Sequence, residues 1–456
     1  MLSVKEIFQI LIKIEDEENL FEKKICGVYF WKLIRMSLLS EIVKKHKLSE
    51  NPHDKKYGLK DKMKIVLKNL IINLKNNNGQ KDIIIFDNER FFFENNSFKS
   101  LYTFTLLNNL NERKINYEII YPLYLDEKYK TKNSFGNENF KYIFMRLFYF
   151  IKSQIKKFDS KDIKYLTYLK SKIEKEMKIN DLTVLETKEI SKKIYDFIML
   201  YNYYLNYFKM KFPKEIYLIC SYGLEPIISA AQTLNINVNE FQHGVFSTYH
   251  GGYSFPHVEI PYFPDTLLVF GAYWKEMRFL PKNINIVNYG YPYLRNQLSK
   301  YKNINKEIDK VIFISQGTIG KFLSKKVVIF AKENPNKKII YRLHPGEFLR
   351  WKTEYIELYN NRNLKNLEIS DNNDKNLYEY LHECEYLIGV YSTVIYEALE
   401  IGMKVGIINL YGFEYLEDLI ENNYLYKFDK NETINLNKLE NLNIPSKGYL
   451  FEKEEN

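Results

Sequence analysis

The sequence predicts an α/β protein: two Rossmann-like domains facing a cleft, preceded by a helical extension. Three observations carry the prediction. Short apolar strand candidates alternate with helical stretches across 309–425, as a parallel sheet with crossover helices requires. A looser alternation of the same kind fills 79–292. Two strand-to-helix corners, at 339–347 and 386–394, place a hydrogen-bonding side chain where open α/β sheets hold phosphate-bearing ligands. At 456 residues the chain exceeds one ordinary core.

Residues 1–78 form the helical extension. Apolar side chains recur at helical spacing, first Ile7, Ile10, Leu11 and Ile14, then Trp31, Leu33, Ile34 and Leu38, and the run breaks at Asn76-Asn77-Asn78-Gly79. The first domain, 79–292, opens with a strand at 82–86, followed by Asp87-Asn88-Glu89-Arg90. A helix through Phe104, Leu107 and Leu110 leads to a second strand at 117–121. A helical, aromatic insertion spans about 140–212. Within it the lysine-flanked 142–151 reads either as an interfacial amphipathic element or as a helix buried on the first sheet. Strands at 216–220, 238–241, 267–270 and 284–287, with a helix at 226–234, complete this half.

Polar, lysine- and asparagine-rich residues near 290–308 mark the interdomain linker. In the second domain, 309–425, strands are expected at 311–314, 339–343, 367–369, 386–390 and 405–408. Helices are expected near 320–333, 346–360, 376–383, 393–401 and 412–422. The tail, 426–456, is polar and expected to fold back or fray. No repeat of solenoid period is present.

Composition narrows the function classes. Aromatic residues make up 16% of the chain, with 39 Tyr and 31 Phe, a supply suited to sugar stacking and equally to compositional bias. The net charge of +10 is diffuse, which fits phosphate-bearing substrates or an anionic membrane surface. No zinc-finger, RNA-recognition or basic-zipper pattern accompanies it, so no nucleic-acid partner is expected. Three scattered cysteines suggest a reducing compartment and no structural metal. There is no signal-peptide pattern and no apolar run of about 18 residues, so the expected location is cytoplasmic, with peripheral contact at the inner face of the plasma membrane left open.

Five clusters are candidates for chemistry. At the first corner, Pro345 suits an opening helical turn and His344 stands by the positive end of a helix dipole, beside Arg342 and Glu347. At the second, Ser392 and Thr393 can hold a phosphate or simply cap their helix. That helix buries Val394, Ile395, Ala398, Leu399 and Ile401, leaving Tyr396 and Glu397 on the other side, where Glu397 can receive ribose hydroxyls. The loop from Gln242 to Tyr253, with His257 beyond, brings His243 and His250 to a strand end as acid/base or phosphate-contacting groups, or as satisfied structural histidines. No cysteine or carboxylate cluster completes a zinc set around them. Asp87 and Glu89 can act as base for an acceptor hydroxyl or serve turn chemistry. Ser315-Gln316-Gly317-Thr318 is another strand-end loop, whose Gly317 and hydroxyls, Thr318 among them, can approach a phosphate. Dinucleotide, P-loop and nucleophile-elbow fingerprints are absent from the sequence.

Over roughly 215–420 the chain resembles bacterial capsule and lipopolysaccharide biosynthesis glycosyltransferases of GT-B type. The resemblance rests on Gln242-His243-Gly244 with His250 and Tyr253, Phe270-Gly271 with Trp274-Lys275, Gly290-Tyr291-Pro292, Arg342-Leu343-His344-Pro345-Gly346-Glu347, and Gly389 to Thr393 with Glu397-Ala398. The His-Pro and Ser-Thr pair is similar to that of bacterial sialyltransferases and Kdo transferases. It implies a nucleotide-sugar donor as substrate (with no separate cofactor), CMP-linked in those families. It also implies His344, Ser392 and Thr393 as donor-phosphate ligands, and metal-independent inverting transfer with an acidic base in the first domain. The acidic base motif of the sialyltransferases is missing; Asp87-Asn88-Glu89-Arg90 stands in its place. The resemblance implies an enzyme that moves a sugar to a surface polysaccharide or lipooligosaccharide, with a glycan or lipid-linked glycan as acceptor. Polyol-phosphate transferases of the CDP-glycerol type share a related layout and form the alternative; a non-catalytic polysaccharide-assembly protein is a third reading.

Overall fold

The computed structural model describes residues 2–46, 48, 79–88, 90–121, 134–136, 158–255, 259–317 and 319–452. Glu89, Thr318, His257, the 142–151 segment and the extension beyond residue 48 lie outside the described residues.

The first half contains strands β1 (Ile83–Phe86), β2 (Phe91–Glu94), β3 (Ser97–Ser100), β4 (Tyr117–Tyr121), β5 (Ser134–Gly136), β6 (Glu215–Ile219), β7 (Asn237–Phe241), β8 (Thr266–Val269) and β9 (Asn285–Asn288). Strands β2 and β3 pair as an antiparallel hairpin; the other seven form one parallel sheet ordered β5-β4-β1-β6-β7-β8-β9. The second half contains β10 (Glu307–Ile314), β11 (Lys338–Arg342), β12 (Leu367–Ser370), β13 (Cys384–Gly389), β14 (Lys404–Ile408) and β15 (Leu425–Phe428), ordered β12-β11-β10-β13-β14-β15 and parallel throughout. Near-continuous burial of runs such as Ile83–Phe86 and Val311–Ile314 fits strands covered on both faces.

In each sheet the chain starts in the middle, winds to one edge, then returns to build the other side. The order reverses between β1 and β6 in the first sheet and between β10 and β13 in the second. Loops leaving neighbouring strands at such a reversal diverge and open a crevice at the carboxyl ends. The two-domain, GT-B-like architecture expected from the sequence is therefore present, with a helical N-terminal region.

Several elements depart from the sequence expectation for local reasons. The 346–360 helix is broken into a 3-10 turn Pro345–Glu347 and the short helices Trp351–Glu354 and Ile356–Asn360. The linker carries the helix Pro292–Tyr301, a polar stretch with proline at its first turn. The tail contributes β15, whose four residues carry too little pattern to announce a strand. Tyr396 and Glu397, expected on the open side of their helix, are 1% and 5% exposed, because the first domain covers that face as well.

An aromatic seam joins the halves. The Trp274 ring lies 5.1 Å from Tyr396 and 6.3 Å from Phe270, and Phe270 stacks on Tyr291 at 4.5 Å. The tail closes over the seam and buries Leu450 and Phe451. Tyr273 N donates to Tyr449 O at 3.0 Å, Glu452 N to Phe270 O at 2.7 Å, and Trp274 Nε1 to Leu450 O at 2.8 Å. A Cβ built on Gly271 would stand 2.7 Å from Tyr449 O and 2.8 Å from Leu450 O. Gly271→Ala is accordingly expected to push the tail off and to cost about 2–3 kcal/mol in urea unfolding, with amide exchange rising first across 449–452.

At the other end, Ser3 and Glu6 form a capping box that starts the helix Val4–Glu17. With the helix Phe30–Lys45 it packs onto the helices Ser160–Glu176 and Thr187–Lys211. Arg35, 1% exposed, is held by Glu15 and donates Nη1 to Gly251 O, so the N-terminal helices grip the loop that carries His250. Among the described residues no helix is long and apolar enough to cross a membrane.

Candidate functional site

A cavity of about 270 Å³ lies between the two sheets' carboxyl ends. The loop after β7 contributes Val245, Phe246, Ser247 and His250; the loops after β10 and β13 contribute Gln316, Tyr391, Ser392 and Thr393. Tyr396, Tyr415 and Leu416 close it. The second sheet's reversal point, between β10 and β13, thus opens directly into the cavity. Two buried polar atoms among its lining side chains have no hydrogen-bond partner among the described residues: Ser247 Oγ, on a residue 4% exposed, and Gln316 Oε1. Each such atom carries an uncompensated desolvation cost of about 1–3 kcal/mol, which a polar ligand in the cavity would relieve.

The second-domain wall is built by Ser392, the N-cap of the helix Thr393–Glu400, whose Oγ accepts from Val394 N at 3.3 Å. The positive end of that helix faces the cavity, which favours an anion there.

On the opposite wall His250 Nδ1 accepts from Gly252 N at 3.1 Å, which places the ring proton on Nε2. Burial first, then the Arg35 charge, pushes the imidazole down to about 4, so it is a neutral donor at physiological pH. Gly252 has no room for a side chain: a Cβ would come within 2.6 Å of the Tyr222 ring and 3.2 Å of His250 Cε1.

His243 is placed behind this wall, outside the cavity lining. Its Nε2 meets Tyr222 Oη at 2.9 Å and its Nδ1 meets Tyr253 Oη at 3.2 Å. Tyr253 donates its proton to Glu240, so Nδ1–H donates to Tyr253 and Nε2 accepts from Tyr222. Burial, then His250 and Arg90, hold His243 down to about 3, while burial raises the Glu240 carboxyl. Both ring nitrogens of His243 are thus occupied within a buried Glu–Tyr–His–Tyr chain.

The first corner is placed differently from the second. His344 is exposed and outside the cavity lining, its Nδ1 accepting from Gly346 N at 3.1 Å as it opens the turn at Pro345. Glu347, 0% exposed, accepts from His344 N at 2.6 Å and from Ser315 Oγ at 2.9 Å, with Tyr355 on the same carboxylate. Arg342 donates to Ser370 Oγ at 2.7 Å and Asn373 Oδ1 at 2.9 Å. Arg350, which the sequence did not single out, reaches Gly346 O and Gly317 O, each at 3.2 Å. Glu347 and Arg350 therefore staple the His344 turn to the loop that carries Gln316 and Gly317.

Asp87 follows β1, 6% exposed, accepting from Thr103 Oγ1 at 2.6 Å and Asn88 N at 2.7 Å; burial raises its carboxyl. Glu397 accepts from Tyr378 Oη at 3.2 Å, and burial pushes it up to about 7. Of the residues singled out from sequence, the cavity brings together His250, Ser392 and Thr393. Ser247, Gln316 and Tyr391 fall within loops noted from the sequence without being assigned a role of their own, and Tyr415 had no distinguishing signal; their place in the lining comes from where the loops land.

No protein-family model matches the sequence, and no curated protein matches it. Among solved structures, UDP-GlcNAc 2-epimerase from Neisseria meningitidis bound to UDP-GlcNAc is similar with a TM-score of 0.43 and 10% identity, over 78% of this chain and 89% of that one. The Methanocaldococcus jannaschii UDP-GlcNAc 2-epimerase gives a TM-score of 0.44 and 11% identity over 81% and 96%. The wall teichoic acid polymerase TagF gives 0.35 and 12% over 86% and 80%.

Proposed function

We propose that the chain is a GT-B glycosyltransferase that binds a nucleotide-activated sugar in the inter-sheet cavity and transfers it to a bacterial surface polysaccharide or lipooligosaccharide. The observation that carries this reading is the cavity itself. It sits at a sheet reversal, joins both domains, and contains orphaned polar atoms at Ser247 and Gln316. Ser392, Thr393 and their helix end hold the donor phosphate, while His250 Nε2–H donates to the leaving oxygen from the opposite wall. His344 flanks the site by one loop and meets a donor that extends past Gln316. A carboxylate of the first domain takes the acceptor proton, either Asp87 at the carboxyl end of β1 or Glu89, which lies outside the described residues. No metal is required in this scheme because helix end and imidazole offset the leaving-group charge.

Calorimetry with CMP-sugars, UDP-sugars and CDP-glycerol tests the reading. One nucleotide sugar is expected to bind selectively, and Gln316→Leu to weaken it about tenfold while leaving the free protein as stable or more so. Selective binding of CDP-glycerol turns the reading to polyol-phosphate transfer. Nucleotide-independent glycan binding, with no heat from any nucleotide, removes it.

A further inference from the structure

A second, larger cavity of about 780 Å³ lies among the linker helix, the end of the helix Thr393–Glu400 and the returning tail. Four cationic side chains, Arg295, Lys302, Lys306 and Lys447, line it with one carboxylate, Glu400. Glu400 is already paired: Arg295 Nη2 stands 2.9 Å away and Gly448 N donates to it at 2.9 Å. Lys306 Nζ bonds the carbonyls of Ile401 and Gly402, each at 3.1 Å. Lys302 and Lys447 are exposed and have no acidic partner among the described residues. Ile444, in the same lining, is 64% exposed. Uncompensated ammonium groups beside an exposed branched apolar side chain match a ligand that carries an anionic head on an apolar body.

We propose that this cavity receives the phosphate headgroup of an anionic phospholipid, with Lys302 and Lys447 on the phosphate and Ile444 at the acyl boundary. Charge complementarity argues for the anion, and Ile444 argues for a lipid rather than free phosphate. The site is independent of the reaction in the inter-sheet cavity.

Co-sedimentation of the full chain with phosphatidylglycerol-containing or pure phosphatidylcholine vesicles tests it. Binding is expected only to the anionic vesicles. Lys302→Ala/Lys447→Ala is expected to lower partitioning about 30-fold, at roughly fivefold per lysine. Ile444→Ser should lower it with no change in charge. Lys188→Ala/Lys192→Ala, which removes two exposed lysines from the helix Thr187–Lys211, is the equal-charge control and should stay within about twofold of the parent. An equal loss in that control means diffuse electrostatics and overturns the site. Displacement from vesicles by inorganic phosphate, with Ile444→Ser neutral, means a free-phosphate site and overturns the lipid assignment. No binding to either vesicle overturns it outright. Unchanged circular dichroism of each variant secures the comparison.

Discussion

Ser392→Asp is expected to keep the fold intact while removing donor binding. Aspartate caps a helix as well as serine does, and its charge suits the positive helix end, so stability in urea should hold or rise slightly. The same carboxylate would stand in the cavity where the donor phosphate is proposed to lie. Two like charges about 4 Å apart at an effective dielectric near 20 repel by about 4 kcal/mol, or about three decades of affinity. Added salt should recover part of that loss. Ser392→Ala separates the two roles differently: it forfeits about 1 kcal/mol of cap and a single ligand bond, so both readouts should move modestly. Calorimetry and urea unfolding of both variants measure the effects. Undiminished nucleotide affinity in a folded Ser392→Asp protein would sink the phosphate role.

Glu397→Gln is expected to stabilise the protein at pH 8 and to leave it unchanged near pH 4. Burial raises the folded carboxyl from 4.5 to about 7, so its neutral form is favoured in the folded state. The stabilising contribution of a raised acid is complete below its unfolded pKa and is lost as pH rises through the folded one. Across that window the wild type gives up about 3 kcal/mol that glutamine, which cannot ionise, retains. Glutamine also keeps a carbonyl oxygen for the Tyr378 hydroxyl. His243 and His250, held neutral down to about 3 and 4, act in the opposite sense as pH falls below about 6.5. The informative quantity is therefore the difference between wild type and variant at each pH, measured by urea unfolding. A difference that stays flat from pH 4 to 8 would mean that Glu397 does not titrate in the fold.

Much of the architecture was legible because it is written in local pattern. The runs at 311–314, 339–341 and 386–388 are apolar, β-branched or aromatic. Each is followed by a stretch of helical periodicity, most plainly the helix Gly320–Glu333. Elements with weak patterns were not legible: the aromatic hairpin of β2 and β3, the four-residue β15, and the polar linker helix. For the candidate site, the histidine loop and the Ser392-Thr393 corner could be found because short polar motifs after apolar strands are conspicuous. Arg342 and Glu347 stood out by the same rule, yet their side chains turn inward onto Ser370, Asn373, Ser315 and Tyr355.

The sequence by itself determined that this is a two-domain parallel α/β protein and which strand ends carry chemistry-bearing residues, since both follow from near-neighbour periodicity and turn chemistry. Only the tertiary structure decided which of those ends share a cavity. It set His250 across from Ser392, buried His243 behind a tyrosine chain, left His344 exposed one loop away and exposed the orphaned oxygens of Ser247 and Gln316 as a gap to be filled. The reason is physical: which loops meet depends on strand order and on how the two sheets pack along the aromatic seam, and neither is encoded in any stretch short enough to be read locally.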